Sequence, residues 1–200
     1  MQATKRMRTK VCLVGDASVG KTCLIRRFVL NSFEDMYSPT IGTKISKMEL
    51  ELFQSEMNLQ LLVEMTIWDI MGQKGFRDLL KEAYFHGASG IVAVCDMTKR
   101  ATLDSLGEWL ESVHAVTGRI PVVLIANKID LMESAEFGEA ELMQAAEAYE
   151  SPHYLSSAKT GENVETAFRT LAKAVAKKWL VKSQPVEAEE SISIRSSGSH

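Results

Sequence analysis

The sequence has few of the features that mark membrane, disulfide-bonded or zinc-binding proteins. No apolar run approaches the roughly 18 residues that a membrane-spanning helix needs, and the run VCLVG after the basic start is too short for a signal-peptide core. The three cysteines form no CxxC pair, and the four histidines form no HExxH or similar pair. We therefore expect a cytoplasmic protein whose cysteines, Cys12, Cys23 and Cys95, are thiols of the core.

An excess of positive charge is missing as well. The chain of 200 residues has a formal net charge of −3, which argues against a dedicated nucleic-acid partner. Its 46% hydrophobic and 24% charged residues are typical of one globular domain. The first residues are basic, and the last are rich in Ser and Glu without apolar periodicity. We predict a flexible basic arm over 1–8, one folded domain over 9–181 and a disordered tail over 182–200.

Short apolar runs alternate with helical patterns, which is typical of a parallel sheet wrapped by helices, so the predicted fold class is α/β. The continuously apolar runs, which we interpret as buried parallel strands, lie at 10–14, 90–96, 121–126 and 153–155. Between 47 and 67 polar and apolar residues alternate, which predicts an antiparallel hairpin connected near 54–58 at the edge of the sheet. A last helix should begin near Asn163, a good N-cap residue.

The segment GDASVGKT at 15–22 fits the phosphate-binding pattern GxxxxGK[ST]. It follows a predicted strand and opens a predicted helix, so Gly15 and Gly20 let backbone N–H groups point at a polyphosphate beside a helix N-terminus. Lys21 would neutralise the β- and γ-phosphates, and Thr22 would place its hydroxyl on Mg²⁺. The alternative is a purely structural turn between strand and helix.

Further stretches resemble the motifs of the Ras-like small GTPases in order and spacing, and their residues are most similar to those of the Rab branch. They are YSPTIG at 37–42, WDIMGQKGF at 68–76, YFHGA at 84–88, NKID at 127–130 and SSAK at 156–159. The resemblance covers about 10–181. It implies the three-layer sandwich of P-loop NTPases, a mostly parallel six-stranded sheet with one antiparallel edge strand and about five helices. It also implies Mg²⁺ as cofactor, GTP and GDP as substrate and product, and a switch role in signal transduction or vesicle trafficking.

Guanine recognition is predicted from Asp130, which ends a buried strand at the carboxyl edge of the sheet, where ligands bind in open α/β folds. One carboxylate can accept both the N1 and the N2 protons of guanine, and adenine offers no such pair. The resemblance implies that further residues hold the loops, cover the two faces of the base and donate a backbone N–H to the guanine oxygen. They are Asn127 and Lys128 for the loops and one face, Phe33 for the other face, Ala158 for the N–H, and Lys159 along the ring.

The resemblance also implies which residues act in hydrolysis. Gln73 would orient the attacking water, Gly72 would donate its N–H to the γ-phosphate, and Asp69 would reach Mg²⁺ through water. Thr40, 18 residues after Thr22, would ligate Mg²⁺ only while a γ-phosphate is present, so its loop would order with GTP. The predicted catalytic residues are Gln73, Lys21 and Thr40, and the predicted metal ligands are Thr22, Thr40 and Asp69. The residues predicted to contact the nucleotide are Gly15, Ala17, Ser18, Val19, Gly20, Lys21, Thr22, Cys23, Phe33, Tyr37, Thr40, Gly72, Asn127, Lys128, Asp130, Ser157, Ala158 and Lys159.

The chain departs from the family at two positions close to the predicted γ-phosphate. Ala17 stands where the family commonly has glycine, and Met71 stands where it has a small alanine. We expect their added bulk on opposite sides of the γ-phosphate, and the alternative for Met71 is packing onto the sheet. No arginine lies within the four residues before Thr40, so a partner should supply the cation that speeds hydrolysis.

We interpret the chain as a slow GTPase switch whose switch regions bind an exchange factor, a GTPase-activating protein and effectors. One alternative is a hydrolysis-deficient scaffold that binds guanine nucleotide, if Ala17 and Met71 suppress turnover. The other, a P-loop ATPase or kinase, requires Asp130 to be incidental. No cysteine follows Cys95 and the tail has no polybasic cluster, so we expect neither a prenylated tail nor autonomous membrane anchoring. Recruitment to membranes would then depend on partners.

Overall fold

The computed structural model describes residues 3–34, 39–55 and 58–183, and within them strands and helices alternate. The strands are β1 (Ala3–Val14), β2 (Thr43–Gln54), β3 (Leu59–Ile70), β4 (Gly90–Asp96), β5 (Val122–Asn127) and β6 (His153–Leu155). The α-helices are α1 (Lys21–Leu30), α2 (Lys74–Phe85), α3 (Arg100–Asp104), α4 (Leu106–Thr117), α5 (Glu139–Glu147) and α6 (Val164–Lys182), and a 3₁₀ helix spans Ile129–Ser134. Tyr37, which was predicted to contact the nucleotide, lies outside the described residues.

The strands form one six-stranded sheet in the order β2-β3-β1-β4-β5-β6. β2 pairs antiparallel with β3, and the other pairs in the described sheet are parallel. The predicted α/β fold with one antiparallel edge strand is confirmed. The hairpin is confirmed as well, because β2 ends at Gln54 and β3 begins at Leu59. The described residues contain six α-helices, one more than expected, because Ser105 separates α3 from α4.

β1 begins earlier than the sequence indicated. From Ala3 onward the arm predicted over 1–8 is strand, paired in parallel with β3. Met7 is buried, whereas Arg6 and Arg8 are exposed. The basic residues occupy the solvent-exposed face of this half-buried strand. In the sequence they obscure the alternation of polar and apolar residues that would predict a strand. The long hairpin of β2 and β3 therefore has a third strand beside it along most of its length.

Helices cover both faces of the sheet, which confirms the three-layer sandwich. On one face α1 and α6 pack against the strands, and the rings of Phe28 and Phe168 stack with their centroids 4.2 Å apart. On the other face α4 and α5 do the same, with Trp109 and Leu142 fully buried. These two cores fix the parallel strands, so the loops that follow them meet at the carboxyl edge of the sheet.

The C-terminal helix α6 is the longest in the described part of the chain, with 19 residues. It begins after Asn163 as predicted, but the asparagine side chain does not cap it. Asn163 has a left-handed backbone with a φ of 56°, and its Nδ2 donates to the Leu155 carbonyl at 2.8 Å. Neither α6 nor any other helix among the described residues is long and apolar enough to cross a membrane.

Candidate functional site

A cleft of about 490 Å³ lies at the carboxyl edge of the sheet. Segments that follow β1, β3, β5 and β6 line it, together with α1 and the segment before β2. The predicted nucleotide contacts that line it are Ala17, Ser18, Gly20, Lys21, Thr22, Cys23, Phe33, Thr40, Gly72, Asn127, Lys128, Asp130, Ala158 and Lys159. Gly15, Val19 and Ser157 do not line the cleft, but each hydrogen-bonds to a residue that does. Most of the predicted contacts are thus brought together in one place.

The loop between β1 and α1 has the backbone that a phosphate cradle needs. The φ angles of Gly15, Ser18 and Gly20 are positive, at 135°, 65° and 99°. A Cβ added at Gly20 would lie 2.2 Å from Nδ2 of Asn127, so a larger side chain has no room there. Gly20 therefore both turns the loop and lets it approach the loop after β5.

Lys21 is the first residue of α1 and is only 6% exposed. Its Nζ donates to the carbonyls of Gly15 at 2.7 Å and of Asp16 at 2.8 Å. An ammonium group has three protons, so one remains for a ligand. Burial lowers the pKa of Lys21 to about 8, although the charges of Asp69 and Asp16 oppose this shift. A desolvated cation beside a loop of backbone N–H groups is suited to a polyphosphate.

The three predicted metal ligands converge in the structure. Oγ1 of Thr22 donates to Oδ2 of Asp69 at 2.5 Å and lies 3.0 Å from Oγ1 of Thr40. Asp69 is 2% exposed, and this burial raises its pKa. Its Oδ1 is buried and has no hydrogen-bond partner among the described residues. A buried carboxylate with one unpartnered oxygen, whose other oxygen contacts two hydroxyls, fits Mg²⁺, which typically takes one or two carboxylates together with phosphate and water.

The loop after β3 rests on the loop after β1. A Cβ added at Gly72 would lie 2.5 Å from the backbone nitrogen of Ala17, so glycine alone permits this approach. The N–H of Met71 donates to the Gly42 carbonyl at 3.1 Å, which joins the loop to the segment before β2. Ala17, Met71 and Gln73 all line the cleft. The bulk of Met71 is therefore present at the cleft, and its position relative to a γ-phosphate stays a prediction.

Asn127 is 1% exposed and ties three loops together. Its Nδ2 donates to the Val19 carbonyl at 2.9 Å, and its Oδ1 accepts the N–H of Ala158 at 3.0 Å. This geometry agrees with the loop-holding role that the resemblance implied. The N–H of Ala158 already has an acceptor in Asn127, so a guanine oxygen would share this donor.

The prediction that Asp130 ends a strand is wrong, because β5 ends at Asn127 and Asp130 lies in the 3₁₀ helix that follows. A fully buried serine holds Asp130 in the cleft there. Oγ of Ser157 donates to Oδ1 of Asp130 at 2.6 Å. The same Oγ accepts the backbone N–H groups of Lys159 and Thr160, each at 3.1 Å. Because these two N–H groups occupy the acceptor side of the hydroxyl, its proton points to the carboxylate. Ser157 therefore orients Asp130 and does not itself line the cleft.

Two predicted contacts have unexpected surroundings. The ammonium of Lys128 pairs with Oδ2 of Asp96 at 2.6 Å, and Asp96 is 1% exposed at the end of β4.

Cys23 is half-buried and lines the cleft, so the interpretation of the cysteines as core thiols holds only for Cys12 and Cys95. Cys23 lies in the first turn of α1, where one side of the helix faces the cleft. Partial burial still raises the pKa of its thiol.

Known proteins resemble the chain over most of its length. Residues 10–177 match the sequence profile of the Ras family. The chain belongs to the Ras family. It is 36% identical over 168 residues to Ras-related protein Rab-1 of Theileria parva, covering 83% of this chain and 73% of the relative. It is 33% identical over 181 residues to Rab-1A of Dictyostelium discoideum (89% and 85%) and 34% identical over 164 residues to Rab-30 of Homo sapiens (82% and 77%).

These relatives place the Ras-family chain in the Rab branch, and as a member of this family it is a GTP hydrolase. Ras-family GTPases generally use GTP, GDP and Mg²⁺, and regulators and effectors bind them. The predicted family and enzyme class are confirmed.

One support of the phosphate loop in this GTPase was not predicted. The carboxylate of Asp16 accepts the indole Nε1–H of Trp109 and the hydroxyl of Ser105, both at 2.9 Å. The loop after β1 is therefore anchored to α4 as well as to α1. A tryptophan within the apolar face of α4 was the available signal, because a buried indole N–H needs an acceptor. The 93 residues between Asp16 and Trp109 kept this pair from appearing as a motif.

Proposed function

We propose that the chain is a slow GTPase switch that binds Mg²⁺-GTP and GDP in this cleft and presents different switch conformations to its partners. Its strongest support is one observation: the oxygen cluster of Thr22, Thr40 and the buried Asp69 lies beside the buried cation Lys21. Thr22, Thr40 and Lys21 line the same cleft as Asp130. Residues suited to a metal, to phosphates and to a base thus lie close together.

The phosphate end of the cleft would bind the β- and γ-phosphates. The N–H groups of the loop after β1 and the free proton of Lys21 would donate to the phosphate oxygens. Thr22, Thr40 and Asp69 would hold Mg²⁺, with Asp69 acting through water. When bound, this ion neutralises charge on the β- and γ-phosphates.

The base end would bind guanine between the loops after β5 and β6. Asp130, oriented by Ser157, would accept the N1 and N2 protons, and the N–H of Ala158 would donate to the guanine oxygen. Phe33 and the stem of Lys159 would cover the ring faces, since both line this end of the cleft. Adenine offers Asp130 no N–H donor, because its N1 is an acceptor and its C2 has no amine, so ATP should compete poorly.

Hydrolysis would proceed by in-line attack of a water molecule on the γ-phosphorus. The bond from the γ-phosphorus to the bridging oxygen breaks, GDP leaves with the electron pair, and phosphate is released. Gln73 would orient the water from the N-terminus of α2. Arg26 lines the cleft, but its guanidinium pairs with Glu34, so a GTPase-activating protein remains the expected source of a catalytic cation.

Partners should bind the segments around Thr40 and Gln73, whose conformations would differ between the GTP-bound and GDP-bound states. An exchange factor, a GTPase-activating protein and effectors are the expected classes, and recruitment to membranes would follow from such partners. The edge strand β2 lies between these two segments in the chain.

The nucleotide that copurifies with the full chain tests this proposal directly. Mass spectrometry of the denatured protein should find GDP or GTP, and excess ATP should fail to displace it. Single-turnover measurements with Mg²⁺ should then convert bound GTP to GDP. Displacement by ATP would favour an ATPase or kinase, and GTP that stays intact would favour the hydrolysis-deficient scaffold.

Gln73→Leu should slow single-turnover GTP hydrolysis without weakening GTP binding. We expect a loss of about tenfold, because one water-positioning hydrogen bond of about 1.4 kcal/mol is removed only in the transition state. Gln60→Leu on β3 is the matched control, since Gln60 pairs with Glu51 away from the cleft. An unchanged rate in Gln73→Leu would show that this residue does not position the water.

Ala17→Gly combined with Met71→Ala should raise intrinsic hydrolysis, if their side chains crowd the attacking water. Each 1.4 kcal/mol of relieved strain would appear as about tenfold in rate. Nucleotide affinity should change less, because Lys21 and the backbone cradle are untouched. The two single variants show whether the effects add, which is not required for side chains that line one cleft. A double variant that binds GTP but turns over no faster than wild type would show that the bulk is accommodated.

A further inference from the structure

Two adjacent arginines of α1 contact opposite walls of the base end of the cleft. Consecutive residues on a helix point about 100° apart, so Arg26 and Arg27 reach different neighbours. Both lie one to two turns after Lys21 and Thr22, which form the phosphate end of the same cleft. One helix therefore connects the phosphate site to both walls.

Arg27 braces the loop after β6. Its Nε donates to the Ala158 carbonyl at 2.9 Å, and its Nη2 donates to the Lys159 carbonyl at 2.6 Å. The remaining nitrogen donates to the backbone and side-chain oxygens of Asn31 at 3.3 Å, which holds the guanidinium in place. The braced residues are the two that the proposed function assigns to the guanine oxygen and ring face.

Arg26 braces the opposite wall. Its guanidinium forms an ion pair with the carboxylate of Glu34. Glu34 directly follows Phe33, and all three residues line the cleft. The Arg26 side chain is 31% exposed, so its charge is partly shielded from water. This pair ties the end of the Phe33 segment to α1.

We propose that Arg26 and Arg27 are positioning residues that hold the two walls of the base site around guanine and thereby set how long a nucleotide stays bound. Either wall can swing away from the base only after charge-assisted hydrogen bonds to α1 are broken. This inference rests on the proposed function, since it concerns the same site. It assigns guanine retention to residues that do not themselves contact the base.

The test measures the dissociation of radiolabelled GDP from the full-length, Mg²⁺-loaded protein. Arg27→Met and Arg26→Met keep the aliphatic stem and remove the guanidinium. We expect Arg27→Met to release GDP about tenfold faster. Arg26→Met should release it about threefold faster, because the Glu34 side chain is 64% exposed and water can replace part of the ion pair. Arg169→Met is the matched control, because Arg169 pairs with Glu165 on the surface of α6. Arg27→Lys provides a second variant, which keeps the charge and loses the two-pronged contact to the loop.

Two further measurements separate a brace from general loosening of the protein. Removal of Mg²⁺ by a chelator should accelerate release by the same factor in wild type and in the arginine variants, because Thr22 and Asp69 are untouched. Arg26→Glu together with Glu34→Arg should restore slow release, because the ion pair is rebuilt with reversed polarity. Thermal melting of each GDP-bound variant reports whether the fold is intact.

The outcomes distinguish this inference from the proposed function. A wild-type chain that retains no guanine nucleotide contradicts the proposed function itself. A wild-type chain that retains GDP, with arginine variants that release it at the wild-type rate, overturns the brace alone. The proposed brace would also be overturned if Arg169→Met released GDP as fast as Arg26→Met and Arg27→Met. It would be overturned as well if Mg²⁺ removal accelerated GDP release by different factors in the arginine variants and in wild type. A swap variant as fast as Arg26→Met would overturn the assignment for the Phe33 wall.

Discussion

Lys21→Met is expected to weaken GDP and GTP binding about a thousandfold, since losing one partner of a buried charge pair costs about 4 kcal/mol. Lys21 is only 6% exposed, so water cannot replace its contact with the phosphates. The methionine keeps the stem of the side chain and removes the charge. Titration with GDP in the presence of Mg²⁺ measures the loss of affinity.

The same variant should leave the nucleotide-free protein folded, because the desolvation cost that it removes offsets the two hydrogen bonds from Nζ that it loses. Burial of the ammonium lowers the pKa of Lys21 to about 8, so the folded chain pays a desolvation cost for this charge that a thioether avoids. Thermal melting without nucleotide checks this point, and Lys47→Met on the exposed side of β2 is the control. A Lys21→Met protein that still binds GDP tightly would refute the phosphate-site assignment.

The pKa of Lys21 also predicts how affinity depends on pH. A bound polyphosphate favours the protonated ammonium, and the free protein loses that proton as the pH rises through about 8. Affinity for GDP should therefore be constant below this pH and fall above it, by at most about tenfold per pH unit. Lys21→Met should remove this dependence, and GDP titrations at pH 7 and pH 9 compare the two proteins.

The fold could be predicted where the pattern along the chain was simple. The buried strands at 90–96 and 153–155 coincide with β4 and β6, because a continuously apolar run between turns leaves little choice. The first half of β1 could not be predicted. Its exposed face carries Arg6 and Arg8, and the partner that makes it a strand, β3, follows more than fifty residues later. Local composition there resembles a flexible arm until the pairing is known.

The candidate site could be predicted where its residues stand in compact motifs. Lys21 and Thr22 stand in one sequence motif, and Asp130 lies close to Asn127, so spacing alone predicted that they line the cleft. The contacts that hold these loops in place could not be predicted from residue spacing. Arg27 and the Ala158 carbonyl are 131 residues apart, and a backbone carbonyl leaves no residue-type signal.

Backbone conformation was a second source of error. Asn163 has the residue type of a helix cap, and it occupies the cap position of α6. Its left-handed φ turns the side chain away from the helix, to the Leu155 carbonyl, and neither fact can be read from residue type. Residue types predicted which groups are present, and only the packed loops decided which atoms they face.

Asp130→Asn should convert the nucleotide preference from guanine to xanthine, the second large effect that the site predicts. Ser157 donates to Oδ1 of Asp130 at 2.6 Å, so the carbonyl oxygen of an asparagine would take that place. The amide NH₂ would then face the base, where it can donate to the xanthine oxygen and opposes the amine of guanine. We expect GDP affinity to fall about a hundredfold, because a donor that loses its buried acceptor is strongly rejected.

Competition between GDP and XDP for the protein measures this preference directly. Wild type should prefer GDP, and Asp130→Asn should prefer XDP with little change in the response to Mg²⁺, because Thr22 and Asp69 are at the other end of the cleft. Asp104→Asn on α3 is the matched control, since that carboxylate pairs with Arg100 outside the cleft. Ser157→Ala in the Asp130→Asn background should reduce the preference for XDP over GDP, because the amide then loses the hydrogen bond that orients it. An Asp130→Asn protein that still selects GDP over XDP would show that Asp130 does not read the base.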